Sequence, residues 1–545
     1  METTRRGFLA GAAALAALPA AAEDGAQGKI VLPQQGIALT GEDRREACYL
    51  IRNAGAKAGR RAAIPEHEDN GDEARYGNRI GNYSKGLPHN SLGAVDSAAY
   101  DSLLTALDSG RHADFESIVM GASAPVFQRK LVNPQAGLAY DMEGVDSHGC
   151  PQPPAPAVAS AEAAGELVEN YWMALTRDVP FAEYDTHPLT QSAASDISGL
   201  SDFRGPKAAG RVTTGTLFRG FTPGDLVGPY ISQFLWMPVP FGAVTYDQKM
   251  QTTLPGLDFM TSFSDWLAIQ NGNTPVGASP YDVTRRYIRN GRDLSQWVHI
   301  DVLFQAYFQA AVILMGLGAP LNPGNPYAAS RTQDGFGTFG PPHIATLVAE
   351  VSTRALKAVW FQKWYVHRRL RPEAMAGLVH NAKFGVAHPL HADVLTRSAV
   401  LDQIRGRYGT YLLPQAFAEG SPLHPSYGAG HATVAGACVT VLKAMFDERF
   451  VLPNPVVATP DGLSLAAYTG PDAGSLTVGG ELNKLAANVG VGRNIAGVHY
   501  RSDYAESLKL GEAVAISLLR ESGDTYNEPL TGLTFTKFDG TRVRV

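Results

Sequence analysis

From Trp297 to the C terminus, apolar residues recur at helical spacing, and this pattern constrains the fold more than any other feature. Candidate helices span 297–317, 342–369, 431–447, 481–496 and 503–520, with Gly and Pro in the loops between them. No run of alternating strand residues, internal repeat or heptad array competes with this pattern. The expected fold is mainly α. A helical bundle should fill the C-terminal half, 291–545, with a helical and loop-rich N-terminal region, 23–290, packed on it. The stretch from Trp297 to Leu317 is apolar, but Asp301, Gln305 and Gln309 interrupt it at helical spacing, so a buried core helix is expected rather than a membrane span.

The N-terminal region is less regular. A basic helical pattern runs from Arg44 to Arg61, followed by a polar loop through about Asn82. Ala98 to Met120 reads as helix. Pro151, Pro153, Pro154 and Pro156 mark a boundary, after which Ser160 is placed to cap a helix containing Ala161–Arg177. Residues 178–290 carry short helices at best.

Residues 1–22 stand apart: Arg5-Arg6 precedes Gly7-Phe8-Leu9, a short apolar run and Ala20-Ala21-Ala22. This is the pattern of a twin-arginine-type signal peptide, which implies export to the periplasm or the extracellular space. The apolar run is about half of the roughly 20 residues needed to span a bilayer. Residues 23–45 read as an extended arm.

Three cysteines, Cys48, Cys150 and Cys438, are too few for a disulfide framework and lack metal-site spacing. A single Cys48–Cys150 bridge is compatible with an oxidising compartment, and Cys438 reads as a buried free thiol. A net charge of −6 argues against nucleic acid or an anionic membrane as partner. Any anion site must therefore be a local concentration of positive charge.

Such a concentration is visible. From His424 to Ala437 the chain reads HPSYGAGHATVAGA, a Pro/Gly-rich loop opening onto a small, apolar, helix-like run. A helix N-terminus of this kind presents backbone N–H groups to an anion, and Gly430 lets the backbone approach closely. His431, at the helix start, is a candidate general acid/base. Lys363 and Arg371 lie eight residues apart on one helix face, although Pro372 pushes Arg371 out of the helix. Trp360 is spaced to pack beside the Lys363 ammonium. Arg493 closes a helix, His499 lies in the loop GVHYRSD, and Asp503 can cap the helix that follows. An imidazole beside a carboxylate is held in one tautomer, as a ligand or nucleophile requires. Each residue alone reads as surface charge or core; the ordered set points to a tetrahedral oxyanion such as phosphate or vanadate.

Together Lys363, Arg371-Pro372, Gly430-His431, Arg493 and His499 resemble the signature shared by vanadium-dependent haloperoxidases and the type 2 phosphatidic acid phosphatase superfamily. KWYVHRRLRPEAMAG, HPSYGAGHAT, GELNKLAANVGVGRNIAGVHYRSD and DSHGCPQPPAPAVASAEAAGELVENYWMALTRDVPF are similar to the algal and bacterial bromoperoxidases, and the likeness covers most of 40–520. The resemblance implies a vanadate cofactor with His499 as its axial protein ligand. Lys363, Arg371, Arg493 and the Gly430 N–H would hold the equatorial oxygens. His431 would be the acid/base group and His424 a neighbouring histidine tied to bromide-type activity, with Trp360 and Asp503 further out. It also implies hydrogen peroxide, a halide (bromide or iodide) and small organic acceptors as reactants, in a homo-oligomer. Two positions depart from the family: Ala429 stands where Ser is usual, and Gly428 where Pro is usual. An exported acid phosphatase using His499 as phosphoryl acceptor and a non-catalytic oxyanion-binding protein are the alternative readings.

Overall fold

A computed structural model describes residues 41–277 and 280–545. The signal-like residues 1–22 and most of the expected arm lie outside the described residues. Among the described residues nine longer helices organise the fold: α1 (Gly41–Arg61), α2 (Ser97–Ser109), α3 (Ala161–Leu175), α4 (Gln305–Gly316), α5 (Pro341–Phe361), α6 (Pro372–Lys383), α7 (Gly430–Met445), α8 (Val478–Ile495) and α9 (Arg501–Gly523). Strand is confined, among the described residues, to three antiparallel hairpins of three-residue strands, such as Val456–Ala458 against Leu465–Ala467. No described helix is long and apolar enough to cross a membrane.

Helix α7 is the axis of the molecule. Every residue in it except His431 is buried, and α5, α8 and α9 pack around it. An all-round apolar helix made of Gly, Ala, Val and Thr has no face to offer solvent, so it must sit at the centre of a bundle. Close approach is built into the crossing with α9. A Cβ on Gly436 would lie 2.2 Å from the Leu508 carbonyl oxygen, and one on Gly511 1.9 Å from that of Thr433. Only glycine fits at either point.

The N-terminal region shares this core. One apolar cluster holds Leu167, Trp172 and Phe234 together with Val434, Leu482 and Leu508. Helix α3, capped by Ser160 Oγ accepting from Ala163 N at 3.1 Å, is buried along nearly its whole length. It sends Glu166 to Arg369 (2.9 Å) and Glu169 to Arg501 (2.9 Å from Nε), so charges as well as apolar groups join the two regions.

Four expectations need correction. The single helix over 297–317 is two, Gly291–Trp297 and α4, separated by an irregular segment. The helix expected over 98–120 stops at Ser109, where Gly110 adopts φ 63° and closes it. The helix over 342–369 ends in a π-helical turn, Gln362–His367, and a left-handed Arg368. Cys48 and Cys150 are both free thiols: Cys48 rides on α1, whereas Cys150 stands in the loop before the Pro cluster, with its carbonyl bound by Gln362. Cys438 is buried and free, as expected.

Candidate functional site

The C-terminal ends of α5 and α8 and the N-terminal ends of α6, α7 and α9 converge on one cavity of about 280 Å³. His424, Gly430, His431, Arg493, His499 and Trp360 all line it. Lys363 and Arg371 lie behind these, fully buried. The structure thus brings together every site residue named from the sequence.

Lys363 belongs to the π turn, and Arg371 is the extended residue at the start of α6 (φ −81°, ψ 156°). Both reach the same imidazole: Lys363 Nζ lies 2.8 Å and Arg371 Nη2 2.8 Å from His424 Nδ1. Two basic side chains at one ring nitrogen, which also has the Pro425 carbonyl at 3.1 Å, disfavour a charged imidazole. Desolvation first, and then the Lys363 and Arg371 charges, hold its pKa well below the usual histidine range. Burial and the Arg371 charge likewise pull Lys363 well down.

Burial lowers Arg371 and Arg493 to about 10, still charged at neutral pH. Arg371 donates only to the carbonyls of His424 and Val498 and to two imidazoles. Arg493 donates to the Val298 carbonyl at 2.8 Å, and its buried Nε has no partner. Among the described residues, none of Lys363, Arg371 and Arg493 forms an ion pair with a carboxylate, although all three are buried. Charges so placed are costly unless a counter-charge joins them. A multiply charged oxyanion is the missing partner.

His499 is prepared to meet it. Its Nδ1 lies 2.9 Å from Asp503 Oδ2, which also accepts from Tyr500 N at 3.0 Å and from the Ser426 hydroxyl. Asp503 caps α9 as the sequence suggested, but from the third helical position: its carboxylate reaches back to the Tyr500 N–H in a capping box, with Tyr500 at the cap position itself. The other carboxylate oxygen accepts from Arg369 Nη1 at 2.8 Å. Burial alone would raise the Asp503 carboxyl, but the Arg369 charge and the His499 hydrogen bond hold it far below the carboxylate range. A fixed carboxylate at Nδ1 leaves the Nε2 lone pair for the cavity side, 3.0 Å from Arg371 Nη1.

His431 faces the cavity from the first turn of α7, and its Nε2 lies 3.0 Å from Asp301 Oδ1. The break between Trp297 and α4 frees Asp301 to make this contact. Sequence reading treated Asp301 as an interruption of a core helix; nothing local marks it as a partner 130 positions from His431. Trp360 packs beside Lys363, as its spacing suggested. Its indole N–H donates to the Val132 carbonyl at 3.0 Å, so only the ring is available, 4.9 Å from Lys363 Nζ and abutting Gly430.

Comparison with known proteins agrees. The VCPO second helical-bundle domain profile matches residues 344–527. Vanadium-dependent bromoperoxidases of Corallina pilulifera and Ascophyllum nodosum are 35% and 38% identical, over 92% and 85% of this chain and 99% and 86% of their own. The chain belongs to the vanadium-dependent bromoperoxidase family. A solved homohexameric vanadate-dependent bromoperoxidase from Ascophyllum nodosum superposes with a TM-score of 0.89 at 30% identity, covering 98% of this chain and 95% of that one.

Within this family frame, the departure at 428 has a local reason, and the one at 429 has none in the structure. A Cβ on Gly428 would lie 2.5 Å from Ser507 Oγ and 2.6 Å from Gln152 Oε1. Those side chains fill the room a proline ring needs. Ser507 Oγ also accepts from Ala429 N at 2.8 Å. Ala429 stands at the cap position of α7, where no side chain bonds the first turn.

Proposed function

We propose that this chain oxidises bromide or iodide with hydrogen peroxide to hypohalous acid or its equivalent, which halogenates small organic acceptors. The observation that carries this reading is the group of three buried basic side chains, two of them guanidinium cations, that have no carboxylate partner among the described residues and gather around His424 and His499. The residues fit vanadate: His499 Nε2 as ligand, with Lys363, Arg371, Arg493 and the Gly430 N–H toward its oxygens. Bound vanadate supplies Lewis-acid activation of peroxide with no change in its own oxidation state. His431 takes up and returns the proton of the incoming peroxide, with Asp301 fixing its ring. Lys363 brings positive charge to the oxygen that the halide attacks. His424, bonded to both Lys363 and Arg371, sets the position of each.

Two further proposals accompany this one. The twin-arginine-type pattern at Arg5-Arg6 supports export to the periplasm or beyond. The homohexameric relative supports a homo-oligomer. The acid phosphatase reading has no observation in its favour beyond the shared signature. The deciding experiment assays bromide oxidation with and without added vanadate, beside hydrolysis of a phosphate monoester. Vanadate-dependent bromide oxidation with negligible hydrolysis is expected; hydrolysis without bromide oxidation would replace this reading by the phosphatase one.

A further inference from the structure

The cavity continues outward from His431 to a rim that halide oxidation leaves unused. Leu303, Leu356, Trp360, Phe417 and Pro422 form apolar walls, and Arg129, His299 and Glu419 stand with them. His299 lies flat on Phe417, with ring centroids 3.7 Å apart and planes 8° from parallel. Its Nε2 is 2.6 Å from Glu419 Oε1. Burial alone would raise the Glu419 carboxyl, but the His299 hydrogen bond and charge hold it at about 2, so this carboxylate already has its partner.

Arg129 has none. Among the described residues its guanidinium makes one hydrogen bond, from Nη1 to the Glu419 carbonyl at 3.3 Å, and no ion pair. A guanidinium has five N–H donors in a planar fork suited to a carboxylate. An apolar slot with one uncommitted polar anchor is the usual form of a small-molecule site.

We propose that the outer cavity is an acceptor subsite for a single-ring aromatic anion, its ring against the apolar walls and its carboxylate on Arg129. Size permits this: a dry cavity of ~150 Å³ is enough for benzene, and the whole cavity is about 280 Å³ with the oxyanion at its inner end. Charge favours it as well. Arg129 supplies a local positive charge among the apolar walls, which attracts an anionic acceptor over its neutral analogue. The inference rests on the proposed halide oxidation, which supplies the hypobromous acid. At the bound ring a C–Br bond forms and the O–Br bond breaks. The ring carbon is oxidised by two electrons, bromine is reduced by the same two, and the ring proton leaves with hydroxide as water. An acceptor held here meets the oxidant before it reaches bulk solvent.

The test is a competition between 4-hydroxyphenylacetate and 4-hydroxyphenylacetamide, present together at equal concentration with bromide, vanadate and limiting peroxide. Their rings react alike with reagent hypobromous acid, and a product ratio taken in one vessel does not depend on turnover. We expect the enzyme to enrich the brominated carboxylate about two- to fivefold over the reagent ratio, as one partly exposed ion pair allows. Arg129→Lys should keep part of this enrichment and Arg129→Gln should return it to the reagent ratio. Calorimetry on vanadate-saturated protein without peroxide should show tighter binding of the carboxylate than of the amide, a preference absent in Arg129→Gln. A wild-type product ratio equal to the reagent ratio, or enrichment that survives in Arg129→Gln, would overturn the subsite while halide oxidation stands. Absence of any bromide oxidation would overturn the proposed function and the subsite with it.

Discussion

His431 and Asp301 carry the account at the scale of single residues. Replacing His431 by Ala should cost turnover on the order of 10²–10⁴-fold yet leave vanadate bound, because His499 and the cations remain. Asp301→Asn keeps the imidazole but loses a charge-assisted hydrogen bond worth about 1.5–3 kcal/mol, so a loss of roughly 10- to 100-fold is expected. Steady-state rates across pH check both: an unchanged pH–rate profile in His431→Ala would count against the acid/base role. Ala429→Ser restores the hydroxyl usual in the family at the cap of α7. It should tighten vanadate binding by at most roughly 1.5–3 kcal/mol, read by titrating the metal-free protein. Weaker binding in a folded Ser variant would mean that Gly428, Ser507 and Gln152 have turned this position away from the oxyanion. At this scale the sequence was informative for His424, His431 and His499, whose motifs are local. It was silent on the roles of Asp301 and Arg129, which come from other parts of the chain and are recruited only by folding, and on Glu419, five residues before His424, whose partner His299 lies far away in the chain.

Helices were legible where one face, or every face, is apolar. The four helices that pack together in the C-terminal half, α5, α7, α8 and α9, begin and end within a few residues of expectation, apart from the π turn that closes α5. The failures fall where tertiary contacts override periodicity. The 297–317 pattern is mainly apolar with polar residues at helical spacing, yet the backbone breaks in it to deliver Val298 to Arg493 and Asp301 to His431. The end of α5 widens into a π turn that buries Lys363. The α7–α9 crossing gives a prediction of its own. Gly511→Ala gains about 1 kcal/mol of helix propensity, but its Cβ would meet the Thr433 carbonyl at 1.9 Å, so the helices must part. A net loss of about 1–3 kcal/mol or more is expected by thermal unfolding, together with weaker vanadate binding, because α7 starts at Gly430 and α9 holds Asp503. Unchanged or increased stability would show that the crossing is looser than the structure places it.

Across the whole molecule, the site belongs to both halves of the chain. Asn170 of α3 donates to the carbonyl of His499 at 3.0 Å, Glu166 binds the Arg369 that binds Asp503, and Lys85 is buried against Glu373, two residues after Arg371. Sequence reading placed the chemistry in 291–545, because the signature lies there, and had no signal for this support: a buried Glu on a mainly apolar helix looks like surface charge until its arginine is known. A frame of this kind keeps Lys363 and two guanidinium cations buried without carboxylate partners among the described residues, and leaves an oxyanion to complete the charge balance.

The most direct test of that claim is a vanadate titration of metal-free wild-type protein and His499→Ala, reading bound vanadium and bromide oxidation on the same samples. The wild type should gain activity in proportion to bound vanadate and saturate near one per chain. His499→Ala should lose tight binding and turnover together. Full bromide oxidation without vanadium, or wild-type turnover with stoichiometric vanadium in His499→Ala, would contradict the account.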